Sequence, residues 1–497
     1  MPCLPEVRRL NPPGGLLAGV LGKKLGVKTL FLNPPSFQGF DGGAGARYQA
    51  RREIRSFWYP DWLAQAAALV EDSKLVDAPP EDLTVDDVLR ISRGYDLAII
   101  YTSTPSFAND AKLADLIKQA NEGMKIGFVG PHVSVLPEES LRQANAVDFV
   151  VRKEFDYAVR DIARGDDIST IKSVSWRDGE SIRHNEQADL ITDLDALPFV
   201  IDVYKRDLTI ENYYNGYLLH PYLSLYTGRG CTHHCTFCLW PQTVSSRQFR
   251  ARSPESVYRE FSLAKDYFPQ VKEFFVNDDT FTANCPRAEE IARKFKSLNI
   301  TWAANAAADV PYDTLKVLKE CGLRLLVVGY ESGSDQILKN IRKGVTTAMA
   351  RRFTRDCKSL GIDVHGCFIL GLPGETKQTI EETMRFACEI DPEMIQVSIA
   401  APYPGTEFYS QAVKNGWLSP DDLTNPDGIQ ECVLRYPDLS PADITVRVDR
   451  FYRKFYLRPR VIYRIGRKMM RDSHERSRRL REGREFWQYL RQRKAES

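Results

Sequence analysis

The sequence predicts an α/β protein with a Rossmann-like, doubly wound domain, then a partial TIM-like barrel of six βα units, then a basic helical tail. Three observations carry that expectation. Short apolar runs alternate with stretches of helical spacing through most of the 497 residues, the pattern that builds parallel sheets. Turn residues follow nearly every run, at the strand ends where such sheets bind their ligands. Charge is lopsided: Arg447 to Glu496 holds 18 Lys/Arg against 6 Asp/Glu, about +12, in a chain of net charge +2.

Hydrophobic residues at 43% and charged residues at 27% fit a globular chain. No run reaches the ~18 apolar residues of a membrane-spanning helix. Met1 to Lys24 lacks the long apolar core and cleavage site of a signal peptide, so residues 1–27 read as an extension. Outside one triplet the cysteines are scattered and form no disulfide framework, which points to a reducing cytoplasm.

The first domain is expected over residues 28–170. Its apolar runs are Val27–Leu32, Leu97–Tyr101, Ile126–Val129 and Val147–Val151, with helical spacing at Asp110–Ala120 and Pro137–Ala144. Thr102 and Ser103 follow the second run, Gly130-Pro131-His132 the third, and Glu154 the fourth. Residues 171–220 read as a linker containing a hairpin around Asp178-Gly179.

The barrel is expected over 221–410. Its runs are Tyr222–Tyr226, Glu273–Val276, Thr301–Ala304, Leu323–Val328, Val364–Leu370 and Met394–Ile399. Polar or Gly-rich turns end them: Asn277-Asp278-Asp279, Gly329-Tyr330-Glu331-Ser332-Gly333 and Gly371-Leu372-Pro373-Gly374. Asp278 and Asp279 can accept hydrogen bonds from an ammonium or a ribose, or cap the following helix. Asn305, Gln396 and Tyr403 fall where side chains face the barrel mouth, as catalytic candidates or as their supports.

The most specific signal is Cys231-Thr-His-His-Cys235-Thr-Phe-Cys238, on a loop behind the Gly228-Arg229-Gly230 turn. Spacings of two and three residues let one loop deliver thiolates to neighbouring irons of a cubane cluster, and three thiolates for four irons leave one iron open. The competing reading is a zinc knot completed by His233 or His234.

This C-x3-C-x2-C motif, with Phe237 before its last cysteine, resembles the radical S-adenosylmethionine (SAM) enzymes. The resemblance implies a [4Fe-4S] cluster on Cys231, Cys235 and Cys238, whose open iron chelates SAM and releases a 5'-deoxyadenosyl radical. It assigns Phe237, Asp278, Asp279, Glu331, Ser332 and Gly371 to the SAM site. Lys343 would meet the methionine carboxylate or else be a solvated helix-end lysine. It further implies an electron donor such as flavodoxin or ferredoxin. The first domain resembles the cobalamin-binding domain that precedes many such barrels, which sets Thr102, Ser103, Gly130, Pro131, His132 and Glu154 about a cobalamin. The D-x-H-x-x-G box that supplies a cobalt-ligating His is absent: Asp363-Val364-His365 begins like it but continues to Phe368, in the other domain. His132 therefore reads as a packing residue rather than a cobalt ligand.

In the region 411–497, Phe451, Tyr452, Phe455 and Tyr456, then Ile462, Ile465 and Met469, recur at helical spacing among arginines. Such a helix reads as a membrane-surface element, a nucleic-acid contact or a helix closing the barrel. Longer strings, Phe31–Phe37, Gly42–Gly45, Arg55–Pro60, Thr102–Asp110, Tyr204–Asn212 and Cys238–Gln242, are similar to the hopanoid-biosynthesis-associated radical SAM proteins of the HpnJ type. That resemblance implies a hopanoid lipid substrate, contraction of a glucosamine head group to a cyclopentane, peripheral membrane contact and no nucleic acid. The alternative chemistry is methyl transfer by a cobalamin-dependent radical SAM methyltransferase.

Overall fold

The computed structural model describes residues 26–37, 56–418 and 432–471, with Arg476, Leu480, Arg481, Gly483 and Arg484 beyond them. Residues 1–25, the Gly42–Gly45 string, Arg55 and most of the distal tail lie outside the described residues.

Strands β1 (Thr29–Asn33), β2 (Ser73–Asp77), β3 (Leu97–Tyr101), β4 (Lys125–Val129) and β5 (Phe149–Val151) are parallel, and the hairpin β6 (Val174–Asp178) and β7 (Ser181–His184) extends them in the order β2-β1-β3-β4-β5-β6-β7. All four expected strands form. β2 was not anticipated, because Ser-Lys-Leu-Val-Asp holds only two apolar residues. The hairpin read as linker joins the first sheet instead: β6 lies antiparallel to β5, with Phe149 opposite Trp176, and takes up an edge that would otherwise be bare.

The second sheet is wholly parallel. Strands β8 (Tyr222–Leu225), β9 (Gly228–Arg229), β10 (Arg250–Ala251), β11 (Glu273–Val276), β12 (Trp302–Ala306), β13 (Leu323–Glu331), β14 (Asp363–Leu370) and β15 (Met394–Ile399) follow the first domain, and six of them run β8-β11-β12-β13-β14-β15 as an open barrel. The other two, β9 and β10, form a short antiparallel ribbon that brackets the cysteine loop at its base. Helices return between strands with local start signals, as where Ser253 caps Pro254–Tyr267 with a proline at the first helical position.

No flexible linker separates the sheets. Tyr204 and Tyr213, from the supposed linker, are fully buried, and one continuous core joins the α1 helix (Asp61–Ala68) and one face of the first sheet to the barrel. Burying aromatics of that size is strongly favourable, about 2 kcal/mol or more each. Two ion pairs cross the same seam: Arg229 is bidentate to Asp156 at 2.8 and 2.9 Å, and Arg250 to Glu154 at 2.8 Å twice.

The tail closes the barrel. Helix Pro441–Tyr456 buries Phe451, Tyr452 and Phe455, with Phe451 against Phe368. Tyr452 and Tyr456 accept hydrogen bonds from the backbone amides of Val397 and Ile395 on β15, at 2.9 and 3.1 Å. Beyond it, helix Pro459–Arg471 and its approach place Arg458 and Arg464 on Asp391, and Lys468 on Asp363 and Glu393, at the N-terminal end of the barrel strands. Of the three readings of the aromatic face, the helix closing the barrel is the one the fold shows, and much of the basic charge answers acidic residues of the barrel. Ile462 and Tyr463 remain exposed. Among the described residues no helix is long and apolar enough to cross a membrane.

Candidate functional site

The carboxyl ends of both sheets meet at the seam. Gly130, at φ +120°, ends β4, and any Cβ there would drive into the carbonyl oxygen of Thr102 at the end of β3. Helix Pro131–Val135, which starts after it, packs on helix Leu239–Thr243, which starts after Cys238. Gly405 sits between them, where a side chain would collide with Val135 and Thr243. The two turns singled out by sequence are thus brought together.

Cys231 and Cys235 are buried and Cys238 is half-buried, all three as free thiols. Gly230, at φ +87°, turns the chain into the loop, with the Gln248 carbonyl where a Cβ would stand. His234 bonds Arg247 at 2.7 Å, and His233 lies against Gly344. Among the described residues no three His, Cys, Asp or Glu side chains converge on a point that could hold a single ion. A cubane takes its thiolates at separate irons, so the three-thiol loop fits a cluster better than a one-ion zinc knot.

Asp278 was expected to meet an amino group. Instead it accepts from the backbone amides of Thr227 and Gly228 and from the Thr227 hydroxyl, at 2.6 to 3.0 Å, and so clamps the turn that leads into the cysteine loop. Burial nonetheless raises its pKa. Nor does either aspartate cap the next helix, because Asn284 does. Asp279 accepts from Ser245 at 3.2 Å, and Asn305 donates to the Asp278 carbonyl at 2.9 Å.

Glu331 and Lys343 find each other. Glu331 sits at φ +61° on the end of β13, and its carboxylate takes the Lys343 ammonium at 2.6 Å. Burial alone would lower the Lys343 pKa, but Glu331 and the thiols of Cys235 and Cys238 hold it above its ordinary value. The solvated-lysine reading fails, since that side chain is enclosed beside the cysteine loop. Ser332 is buried on Thr383 at 3.1 Å. Gly371, at φ +93°, donates to Glu375, whose carboxyl burial pushes up to about 8. Phe237 packs against the small core cluster that includes Leu372 of that turn.

Inside the barrel, exposure alternates. Val327, Gly329, Cys367 and Ile369 are half-buried while their neighbours Val328, Tyr330, Phe368 and Leu370 are buried under the helices. Asn305, Gln396 and Ser398 share the open inner face. The bore is therefore accessible, and polar groups line it. Tyr403 is buried, and its carbonyl accepts from the Thr406 hydroxyl at 2.7 Å. Below Cys367, His365 is buried against Tyr217 and beside Gln396, and burial drops its pKa to about 4.

On the first-domain side, Thr102, Ser103, Pro131 and His132 are buried together. His132 bonds Thr104 at 3.1 Å and lies 4.5 Å from the Phe107 ring, and burial drops its pKa to about 4. The Thr102 hydroxyl is buried at the sheet end beside the Asp110 carboxyl. An uncharged rim of threonine, serine and glycine fits a large, polar-edged cofactor. Glu154 stands apart: its oxygens take Arg250 and the Ile191 amide in the seam.

Sequence reasoning missed Asp61. Fully buried, it accepts from Tyr204, from Asn277 at 2.9 Å and from Ser224 at 3.4 Å, and burial pushes it up to about 7. It also missed Trp62, which stacks on Trp240 at 5.2 Å and lies 4.2 Å beneath the Arg229 guanidinium. No local motif could have signalled either.

The Radical SAM superfamily matches residues 225–387, and the B12 binding domain matches residues 50–163. The chain is 32% identical over 434 residues to an uncharacterized methyltransferase of Pyrococcus horikoshii, covering 83% of this chain and 91% of that one. The chain belongs to the radical SAM enzymes that carry a B12 binding domain. This radical SAM protein is also 28% identical over 249 residues to the cytidylyl-2-hydroxyethylphosphonate methyltransferase of Streptomyces wedmorensis, 47% of this chain and 46% of that one. Among solved structures, its fold is shared by the cobalamin-dependent SAM radical enzyme OxsB with aqua-cobalamin and SAM bound (TM-score 0.67, 16% identity, 92% of this chain and 72% of that one). It is shared too by the radical SAM methyltransferase TsrM of Kitasatospora setae (TM-score 0.62, 15% identity, 86% and 82%). The cofactor set of a radical SAM protein with this second domain is a [4Fe-4S] cluster, SAM and cobalamin.

Proposed function

We propose that this radical SAM protein is a cobalamin-dependent methyltransferase acting on a carbon that carries no acidic proton. The observation that carries the reading is the seam itself, where the uncharged rim at Thr102, Ser103 and Gly130 faces the loop of Cys231, Cys235 and Cys238 through two packed helices. When bound, the cluster with SAM supplies a carbon-centred radical and cobalamin a transferable methyl group, chemistry that no side chain can provide. The chain's own residues hold and exclude. The three cysteines hold the cluster, Glu331 and Lys343 offer a paired acid and base to the zwitterionic end and ribose of SAM, and the half-open bore at Asn305, Gln396 and Ser398 receives the substrate. The named methyltransferases among its relatives support transfer of a methyl group.

A second reading, contraction of the glucosamine head group of a hopanoid, rests on the strings that resemble the hopanoid proteins. Phe31–Phe37 and Thr102–Asp110 leave the ends of β1 and β3, and Cys238–Gln242 opens the facing helix. The deciding experiment uses protein reconstituted without oxygen, SAM labelled in its methyl group and the aminoglycosyl hopanoid. S-adenosylhomocysteine with a labelled lipid supports methyl transfer, 5'-deoxyadenosine with an unlabelled cyclised lipid supports contraction, and no nucleoside product defeats both.

A further inference from the structure

A cleft of about 580 Å³ opens behind the cysteine loop, across the domain seam. Lys153 and Leu190 line it from the first domain, and His234, Arg247, Arg342 and Glu407 from the barrel. Its charge is unbalanced. Arg247 and Arg342 share the single carboxylate of Glu407, at 2.9 and 2.8 Å, while Lys153 adds a third cation. Because one acid holds both guanidiniums, their direction is fixed, and two positive charges remain unanswered.

The cleft is also where the loop meets solvent. Between Cys231 and Cys238 only Thr232 and His234 are exposed, and His234 opens into this cleft. Arg247 bonds that imidazole one residue from Cys235, and Arg342 adjoins Lys343, whose ammonium feels the thiols. Two independent one-residue steps thus connect this surface to the cluster loop.

We propose that this cleft is the docking surface for an acidic one-electron carrier protein that reduces the cluster. The inference rests on the radical SAM reading and names its partner by charge. A low-potential carrier must come within short range of the irons, and complementary charge speeds and orients such an encounter without requiring high affinity. The electron moves from the reduced carrier to the oxidised cluster, and the carrier leaves oxidised by one electron. Lys153 and the guanidiniums of Arg247 and Arg342 meet carboxylates at the carrier's rim, and Glu407 sets the spacing between them.

The test compares two reductants on the reconstituted full chain. Cluster reduction, read by loss of visible absorbance and by electron paramagnetic resonance, is driven by reduced flavodoxin or by dithionite, with SAM cleavage followed in parallel. With flavodoxin the rate should fall steeply as salt rises, and Lys153→Glu with Arg342→Glu should slow it at least ~10-fold at low salt. Glu407→Gln, which removes the acid, should quicken it. Dithionite rates and iron content should stay within about two-fold throughout, since a small reductant needs no docking. A flavodoxin rate insensitive to both salt and charge reversal overturns the proposal. So does a loss shared equally with dithionite, which places the fault in the cluster. Calorimetric binding of inorganic phosphate, without any effect of the charge reversals on flavodoxin, would make the cleft a small-anion site and overturn it too. Failure of the radical SAM reading looks different, as the absence of iron and of dithionite-driven SAM cleavage.

Discussion

The two sheets bring their carboxyl ends to one seam, and they prepare those ends in opposite ways. On the barrel side the polar groups are charged and already answered, Glu331 by Lys343 and Asp278 by Thr227 and Gly228. On the first-domain side they are hydroxyls, Thr102 and Ser106, gathered at the Asp110 carboxyl, which burial pushes up to about 7. Buried charge is tolerable only with a built-in partner, whereas neutral hydroxyls can exchange one partner for another at modest cost. The difference teaches that the barrel end is set in advance for a small charged cofactor, and the first-domain end is left to be completed by a large one.

The widest break in that comparison comes from the cysteine loop. Cys235→Ala should abolish cluster iron and cut SAM cleavage below ~1% of wild type, while leaving cobalamin binding by the first domain in place. Retention of the cluster would mean the loop is not its seat. Next, Arg229→Ala should cost ~3–5 kcal/mol in denaturant unfolding by leaving Asp156 charged in the seam, and Arg229→Met with Asp156→Leu should restore most of it.

A smaller effect separates the two ends. At Gly130 an alanine must accept positive φ and a clash with Thr102, so Gly130→Ala should cost ~1–3 kcal/mol and lower cobalamin retention, with iron content unchanged. Equal losses of both cofactors would show that the ends are not independent. Buried Asp61, Asp77 and Asp110 each stand at about 7 in the fold, against about 3.9 when unfolded. Their folded carboxyls hold protons that the unfolded chain has released, so their contribution is full below about pH 4 and is lost as pH rises through about 7. Stability should fall across that window, and Asp77→Asn should flatten the fall in a pH series of unfolding midpoints. Least of all, Tyr456→Phe should cost ~1–2 kcal/mol, the pair of hydrogen bonds to Ile395 at the barrel edge.

What the sequence made legible was local. Apolar runs of four to seven residues with turn residues behind them became strands, and three thiols within eight residues became one loop, because each pattern is complete within a short stretch. Asp61, Tyr204, Ser224 and Asn277 were invisible as a group, since their partnership spans 216 residues and exists only once two domains dock. The same applies to Arg229 with Asp156, 73 residues apart. The tail left three readings open, of which the barrel-closing helix is the one the fold shows, for the opposite reason. Phe451, Tyr452 and Phe455 form an amphipathic stripe whether they meet a lipid or the flank of β15, and periodicity does not name the surface that receives them.

An open barrel has a cost that a closed one avoids, a bare strand at its end. β15 is that strand, yet at Ile395 and Val397 each tyrosine hydroxyl both takes the amide and gives to the carbonyl of the same residue, at 3.1 and 3.2 Å for Tyr456 and 2.9 and 3.4 Å for Tyr452. Two phenols thereby imitate the neighbour a seventh strand would have been. They leave the bore ajar for a bulky guest while denying the edge to a passing strand of another molecule, so the enzyme can keep its mouth open without becoming a template for aggregation.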